Sequence, residues 1–153
     1  MRAEDYARSL YKFTNIATAP IALEPILEAL GIELGEDDFT ELSGLAFKLP
    51  EIKLIVVNRL LPPERKRFTI AHELAHIVMP HKGGYQLCFP GKNPRMEKSA
   101  DRFAAELLMP ETLIKKLWER YRDNEEYRVD VMAEKFEVSK SAMAIRIRQL
   151  GLK

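Results

Sequence analysis

The chain has 153 residues, a net charge of +1, 31% charged residues and a single cysteine, Cys88. It is long enough to bury one compact core without disulfides, and its charge is too balanced to announce a nucleic-acid binder or an acidic disordered chain. A lone cysteine forms no internal disulfide, no apolar h-region follows Met1 and no apolar run reaches the length of a membrane span, so a cytoplasmic location away from membranes is expected.

Tyr6, Leu10 and Phe13 recur at three- and four-residue spacing and predict a short amphipathic helix over 3–13. Residues 21–30 predict a second, with Gly31 placed to end it. Ile32-Glu33-Leu34 can begin a sheet, and 35–38 reads as a loop. The runs 42–48 and 53–58, joined across Pro50, predict an antiparallel hairpin. The second run is almost wholly apolar at its centre, so both of its faces should be covered.

Pro62-Pro63-Glu64 starts a helix and Pro80 stops it, with Ile70, Leu74, Ile77 and Val78 at helical spacing between them. This helix carries His72-Glu73-Leu74-Ala75-His76, an H-E-x-x-H pattern holding two of the three histidines. Residues four apart share a helix face, so His72 and His76 can aim both imidazoles at one ion. Glu73 beside them can take a proton from a water polarised by that ion, the arrangement of a zinc peptidase. Residues 81–93 form an irregular loop in which His81 and Tyr85 are candidate donors to a developing oxyanion. Cys88, between Leu87 and Phe89, reads as a small buried hydrophobe.

Hydrolytic zinc takes three protein ligands and keeps one position open. Met79 and Lys82 stand where H-E-x-x-H-x-x-G-x-x-H would need Gly and His, which removes that branch. Pro94 and Pro110 bracket another helix, on which Glu97 and Asp101 share a face. Glu97 is expected as the third ligand and Asp101 as the carboxylate that accepts a hydrogen bond from a ligating imidazole, with the reverse assignment as the alternative. Glu106, two and a half turns beyond Glu97, is expected to face solvent.

Arg67 to His76, followed by Glu97-x-x-Ala100-x-x-Phe103-Ala104-Ala105-x-Leu107-Leu108-Met109-Pro110 and preceded by Val56-Val57-Asn58, resembles the ImmA/IrrE family of metallopeptidases. The likeness runs from about Ile21 to Pro110 and more weakly to the C-terminus; Ala75 stands where the family often has Gly. The resemblance implies a cytoplasmic zinc protease in which His72, His76 and Glu97 match the ligands and Glu73 the catalytic acid/base. It also implies a protein substrate, a helix-turn-helix repressor, whose cleavage would release mobile-element or stress-response genes. Zinc is the expected ion, with manganese or another divalent ion as the alternative.

Residues 111–122 predict an amphipathic helix closing over the core. Residues 130–136 and 140–150 read as helix, turn, helix, with Ser139 as N-cap, Gly151 as stop and Ala133, Phe136, Val138, Ala142, Ile145 and Leu150 as the core. Lys140, Arg146, Arg148 and Lys153 would supply phosphate contacts, but five basic against three acidic residues from Asp130 onward is a small excess, and docking of a protein substrate is the preferred role. The expected architecture is therefore α+β: a mostly helical, zincin-like core over 1–125 with a small antiparallel sheet of about three strands, and a helix-turn-helix-like extension over 126–153 packed on it. Two rival classes are a metal-stapled, non-proteolytic regulatory or toxin-antitoxin partner and a DNA-binding regulator. Oligomeric state leaves no mark in the sequence.

Overall fold

The structure is a computed structural model that describes residues 1–39, 41–80 and 93–153, together with the backbone of 86–88. In chain order it contains α1 (Ala3–Arg8), a 3-10 turn (Tyr11–Phe13), α2 (Glu24–Ala29), β1 (Ile32–Asp37), β2 (Gly44–Lys48), β3 (Lys53–Asn58), α3 (Pro63–Val78), β4 (Gln86–Cys88), α4 (Pro94–Leu108), α5 (Glu111–Arg120), α6 (Arg128–Phe136) and α7 (Lys140–Gln149). This is the expected α+β class, helices packed on one small sheet. Among the described residues no helix is long and apolar enough to cross a membrane.

The hairpin forms as its two apolar runs require, β2 antiparallel to β3 with Gly44 opposite Val57 and Lys48 opposite Lys53. The sheet around it is mixed, with strand order β1-β3-β2-β4, and has one strand more than the three expected. In β3, Ile55 and Val57 on one face are buried and Leu54 and Val56 on the other are half-buried, so the second face is covered only in part. β1 pairs in parallel with the edge of β3 that β2 leaves free, from Ile32 opposite Lys53 to Asp37 opposite Asn58. That pairing also carries β1 through Gly35-Glu36-Asp37, where sequence alone predicts a loop. Six ladder partners outweigh the poor strand propensity of Gly and Asp.

The N-terminal helix is shorter than its periodicity suggests. It ends at Arg8, where the Ser9 hydroxyl donates to the Tyr6 carbonyl at 2.6 Å, and the chain continues as the 3-10 turn. Gly31 ends α2's turn at φ 68°, the left-handed region that a helix stop favours.

Helices α3 and α4 pack directly on one another and α3 lies across β2 and β3. Ala71, Ala75, Ala100 and Ala104, all fully buried, let the two helix backbones approach closely. Pro63 and Pro94 occupy the first helical positions, where the missing N–H costs nothing, and the Asn93 side chain accepts from the Met96 N–H at 3.3 Å to cap α4. Asn58 ends β3 with a buried amide that donates to the carbonyls of Phe39 and Leu42 and accepts from the Leu60 N–H. It thereby ties the β1–β2 link to the entry of α3.

Ser139 caps α7 by accepting from the Ala142 N–H at 3.1 Å, and Gly151 stops it at φ 69°. The core of the α6–α7 pair differs from expectation. Ala133, Phe136 and Val138 are buried, but their partners are Met132, Met143 and Ile147, whereas Ile145 is 48% exposed. α7 carries two apolar stripes, and the one holding Met143, Arg146 and Ile147 turns inward. Arg146 is therefore no phosphate contact: its Nη2 donates to Glu106 at 3.0 Å and its Nε to the Met109 carbonyl at 3.0 Å.

Candidate metal centre

Four-residue spacing on α3 puts His72 and His76 on one face, and the close packing of α4 brings Glu97 against both. Glu97 Oε2 lies 3.0 Å from His72 Nε2 and Oε1 lies 2.9 Å from His76 Nε2, with the two Nε2 atoms 3.3 Å apart. On the far side of the ring, His72 Nδ1 is 2.7 Å from Asp101 Oδ1. Carboxylates only accept, and both ring nitrogens face one; an ion on the Nε2 side would leave the proton on Nδ1 for Asp101 and turn the Nε2 lone pair toward the ion. Burial alone would lower the His72 pKa, but the Asp101 hydrogen bond and the charges of Glu97, Glu73 and Asp101 outweigh it and raise it.

Glu73 points into the same space from the next position on α3. It is 2% exposed, and its Oε2 is buried without a hydrogen-bond partner among the described residues. Burial pushes its pKa up to about 7, with the Glu97 charge adding to the shift and His72 opposing it. A group poised there can both take and return a proton at neutral pH.

The donor set fits a divalent ion. Two imidazole nitrogens and a carboxylate within 4.8 Å of one another suit zinc and its neighbours in the first transition row. Zinc–nitrogen bonds of about 2.0–2.1 Å at the tetrahedral angle separate two ligand nitrogens by about 3.3 Å, which is the spacing of the two Nε2 atoms. Electron-rich atoms held this close without a cation repel one another, and the lone Glu73 oxygen beside them is a further buried group in want of a partner.

A cleft of about 320 Å³ opens onto these groups, bordered by Leu42, Ser43, Gly44, Phe68 and Thr69. Gly44 is required there. A Cβ at this position would lie 2.7 Å from the Thr69 methyl, 3.0 Å from the Val56 carbonyl and 3.5 Å from Glu73 Cγ. Nothing in a single sequence marks Gly44 apart from other glycines, because its constraint comes from α3 crossing β2.

The sequence-derived set is thus brought together in part. His72, Glu73, His76, Glu97 and Asp101 meet at one place, with Glu97 rather than Asp101 facing both Nε2 atoms. His81 and Tyr85 lie outside the described residues, as does the Cys88 side chain. Glu106 does not face solvent: it is 1% exposed and receives Arg8, Arg146, the Tyr11 hydroxyl and the Glu111 N–H. Helical phase counted from Glu97 misplaces it, because α1 and α7 cover the side of α4 that a two-helix picture leaves bare.

The H-E-x-x-H helix and the downstream glutamate on a second helix together form a group that could hold a metal ion. The chain matches the IrrE N-terminal-like domain, Peptidase_M78, over residues 27–148, and it belongs to that peptidase family. It is 34% identical over 82 residues to the radiation response metalloprotease IrrE of Deinococcus radiodurans, an alignment covering 47% of this chain and 24% of that protein. The chain therefore spans about a quarter of that curated relative. Among solved structures it resembles a Mycobacterium tuberculosis transcriptional regulator, with a TM-score of 0.64 and 22% identity over 95% of this chain and 46% of that one. This last likeness is one of fold.

Proposed function

We propose that the chain is a zinc-dependent endopeptidase with His72 Nε2, His76 Nε2 and Glu97 as the ligands, and with manganese or another divalent ion as the substitute. The convergence of those three side chains beside the buried Glu73 carries this reading. An ion held there supplies Lewis acidity toward a peptide carbonyl and toward water. Asp101 holds the proton on His72 Nδ1 and so keeps Nε2 free to ligate. Glu73 accepts the proton of the attacking water on its unpartnered oxygen and passes it to the leaving amine nitrogen. Its burial excludes the bulk water that would otherwise compete for that proton. Donation to the oxyanion falls to His81 or Tyr85.

The substrate proposed is a helix-turn-helix repressor cut in the cytoplasm, with residues 1–125 as the peptidase unit and 126–153 as an accessory unit that docks the substrate. Membership of the peptidase family and the likeness to a radiation response metalloprotease support a protein substrate in general. The test is to incubate the purified chain with candidate helix-turn-helix repressors from the same organism, with and without a chelator, and to weigh the products. One defined cut, lost on chelation and in Glu73→Gln, is expected. An intact repressor in the zinc-loaded reaction contradicts the reading.

A further inference from the structure

A cavity that shares no residue with the metal cleft lies between α5, α6 and the segment preceding α2. It measures about 320 Å³ and is walled by residues 17–19, by α5 and by Lys135 of α6. The helical spacing of α5 sets its composition. Leu113 and Leu117, both buried, form an apolar floor, while Lys116 and Arg120, one turn apart, are exposed at its rim. Tyr121, half-buried at the end of α5, supplies an aromatic wall, and the Lys135 ammonium lies 5.9 Å from the centre of its ring. The cavity shares Ala17, Leu113 and Lys116 with a second hollow bordered by Thr14, Asn15 and Thr112, so the two are continuous.

The charge around this cavity has one sign. Lys116, Arg120 and Lys135 make no ion pair or side-chain hydrogen bond among the described residues. Among those residues no acidic side chain lines the cavity or the hollow beside it. The acidic residues nearest to these cations in the sequence are Glu119, Asp123 and Glu134; Glu119 is paired with Arg122, and none of the three lines either space. Lys115, the neighbour of Lys116, is matched by Glu111 at 2.9 Å. The cations left unmatched on α5 are thus the two that border the cavity. A recess with walls of one charge and an apolar floor concentrates counter-ions.

We propose that this cavity is a binding site for a nucleoside monophosphate. A phosphate monoester carries a charge of about −1.5 to −2 at pH 7 and three strong acceptor oxygens, which suits three cations that have no acceptor of their own. The apolar floor and the Tyr121 ring receive the flat, uncharged base, because every base offers a π-face to an aromatic ring. Thr18 in the cavity and Thr112 in the adjoining hollow offer hydroxyls to the ribose. A volume of about 320 Å³ stands at the lower end of the range of ligand pockets, roughly 300–1,000 Å³, and so suits one nucleotide. The ligand bridges α5, α6 and the segment before α2, apart from the metal centre on α3 and α4, and the proposal does not rest on the peptidase reading.

The test is calorimetric titration of the full chain as purified with the 5′-monophosphates of adenosine, guanosine, cytidine and uridine, with the corresponding nucleosides and with inorganic phosphate. At least one monophosphate is expected to bind once per chain, about tenfold or more tightly than its nucleoside and than inorganic phosphate. Lys116→Ala and Lys135→Ala should each weaken it about tenfold while leaving the circular dichroism and the Tm of the free chain unchanged. Tyr121→Leu should weaken the nucleotide and leave inorganic phosphate as it was. Lys115→Ala, on the same helix but outside the cavity, should change nothing. Absence of binding by all four monophosphates at about 1 mM, or an unchanged Kd in Lys116→Ala and Lys135→Ala, overturns the proposal. An equal loss in Lys115→Ala also overturns it, by reducing the effect to diffuse surface charge. So does tighter binding of an oligonucleotide without a terminal phosphate, which would make this face a nucleic-acid backbone contact.

Discussion

Asp101 Oδ1 accepts a hydrogen bond from His72 Nδ1 at 2.7 Å while Glu97 faces the opposite nitrogen of the same ring. The two carboxylates of α4, one turn apart, thus divide one imidazole between them. Removing the outer one leaves the ring free to rotate and to protonate on the wrong nitrogen. Asp101→Ala is expected to weaken zinc binding about 10–100-fold without unfolding the chain, because Asp101 is 58% exposed. A chelator-competition titration measures it, and an unchanged affinity contradicts the role.

Glu73 lies beside the proposed ligands and hydrogen-bonds to none of them among the described residues. Glu73→Gln keeps shape and burial but cannot take up a proton. Zinc stoichiometry should stay at one per chain while cleavage of the proposed protein substrate falls by about 10²–10⁴-fold. Single-turnover kinetics with the zinc-loaded variant decides this, and wild-type cutting by the variant removes Glu73 from the chemistry.

Gly44 marks a close approach of β2 to α3. Gly44→Ala sets a methyl against the Thr69 methyl at 2.7 Å, and overpacking of this kind costs about 1–3 kcal/mol. Urea denaturation of Gly44→Ala should show that loss. Thr69→Ser in the same chain, by deleting the opposing methyl, should recover part of it. An undisturbed Gly44→Ala would mean that α3 yields without cost.

Glu106 and Arg146 are 1% and 5% exposed and face each other across α4 and α7. Glu106→Ala strands a buried guanidinium and should cost about 3–5 kcal/mol. Glu106→Leu combined with Arg146→Met replaces the pair by apolar volume and should be the milder change. Equilibrium unfolding of both variants provides the comparison.

Metal removal separates a catalytic ion from a structural staple. The core of buried residues spans all seven helices and the sheet, and it does not depend on a bridging ion for its contacts. Chelated protein should keep its far-ultraviolet dichroism and melt cooperatively. Its unfolding free energy should fall only by the linkage term, about 2.7 kcal/mol for a metal at 100 times its Kd. Collapse of the fold on chelation would favour a stapling role.

What was legible in the sequence was local. The histidine spacing, the prolines that bound α3 and α4, the Ser139 cap and the apolar centre of β3 all act within a few residues, and each appears where its pattern puts it. Glu97 and Asp101 were legible as a pair because a turn of helix fixes their shared face. What escaped was set by distant contacts: the parallel pairing of β1, the burial of Glu106 under α1 and α7, the inward stripe of α7 and the steric need for Gly44. None leaves a periodic trace in its own segment.

Two imidazoles from α3 and one carboxylate from α4 are proposed to hold a single ion. An anomalous difference map from crystals of the zinc-loaded protein, measured on either side of the zinc edge, tests it most directly. The expected result is one peak within bonding distance of His72 Nε2, His76 Nε2 and a Glu97 oxygen, with Asp101 still on Nδ1. A peak bound elsewhere, or one that bonds Asp101 in place of Glu97, would contradict it.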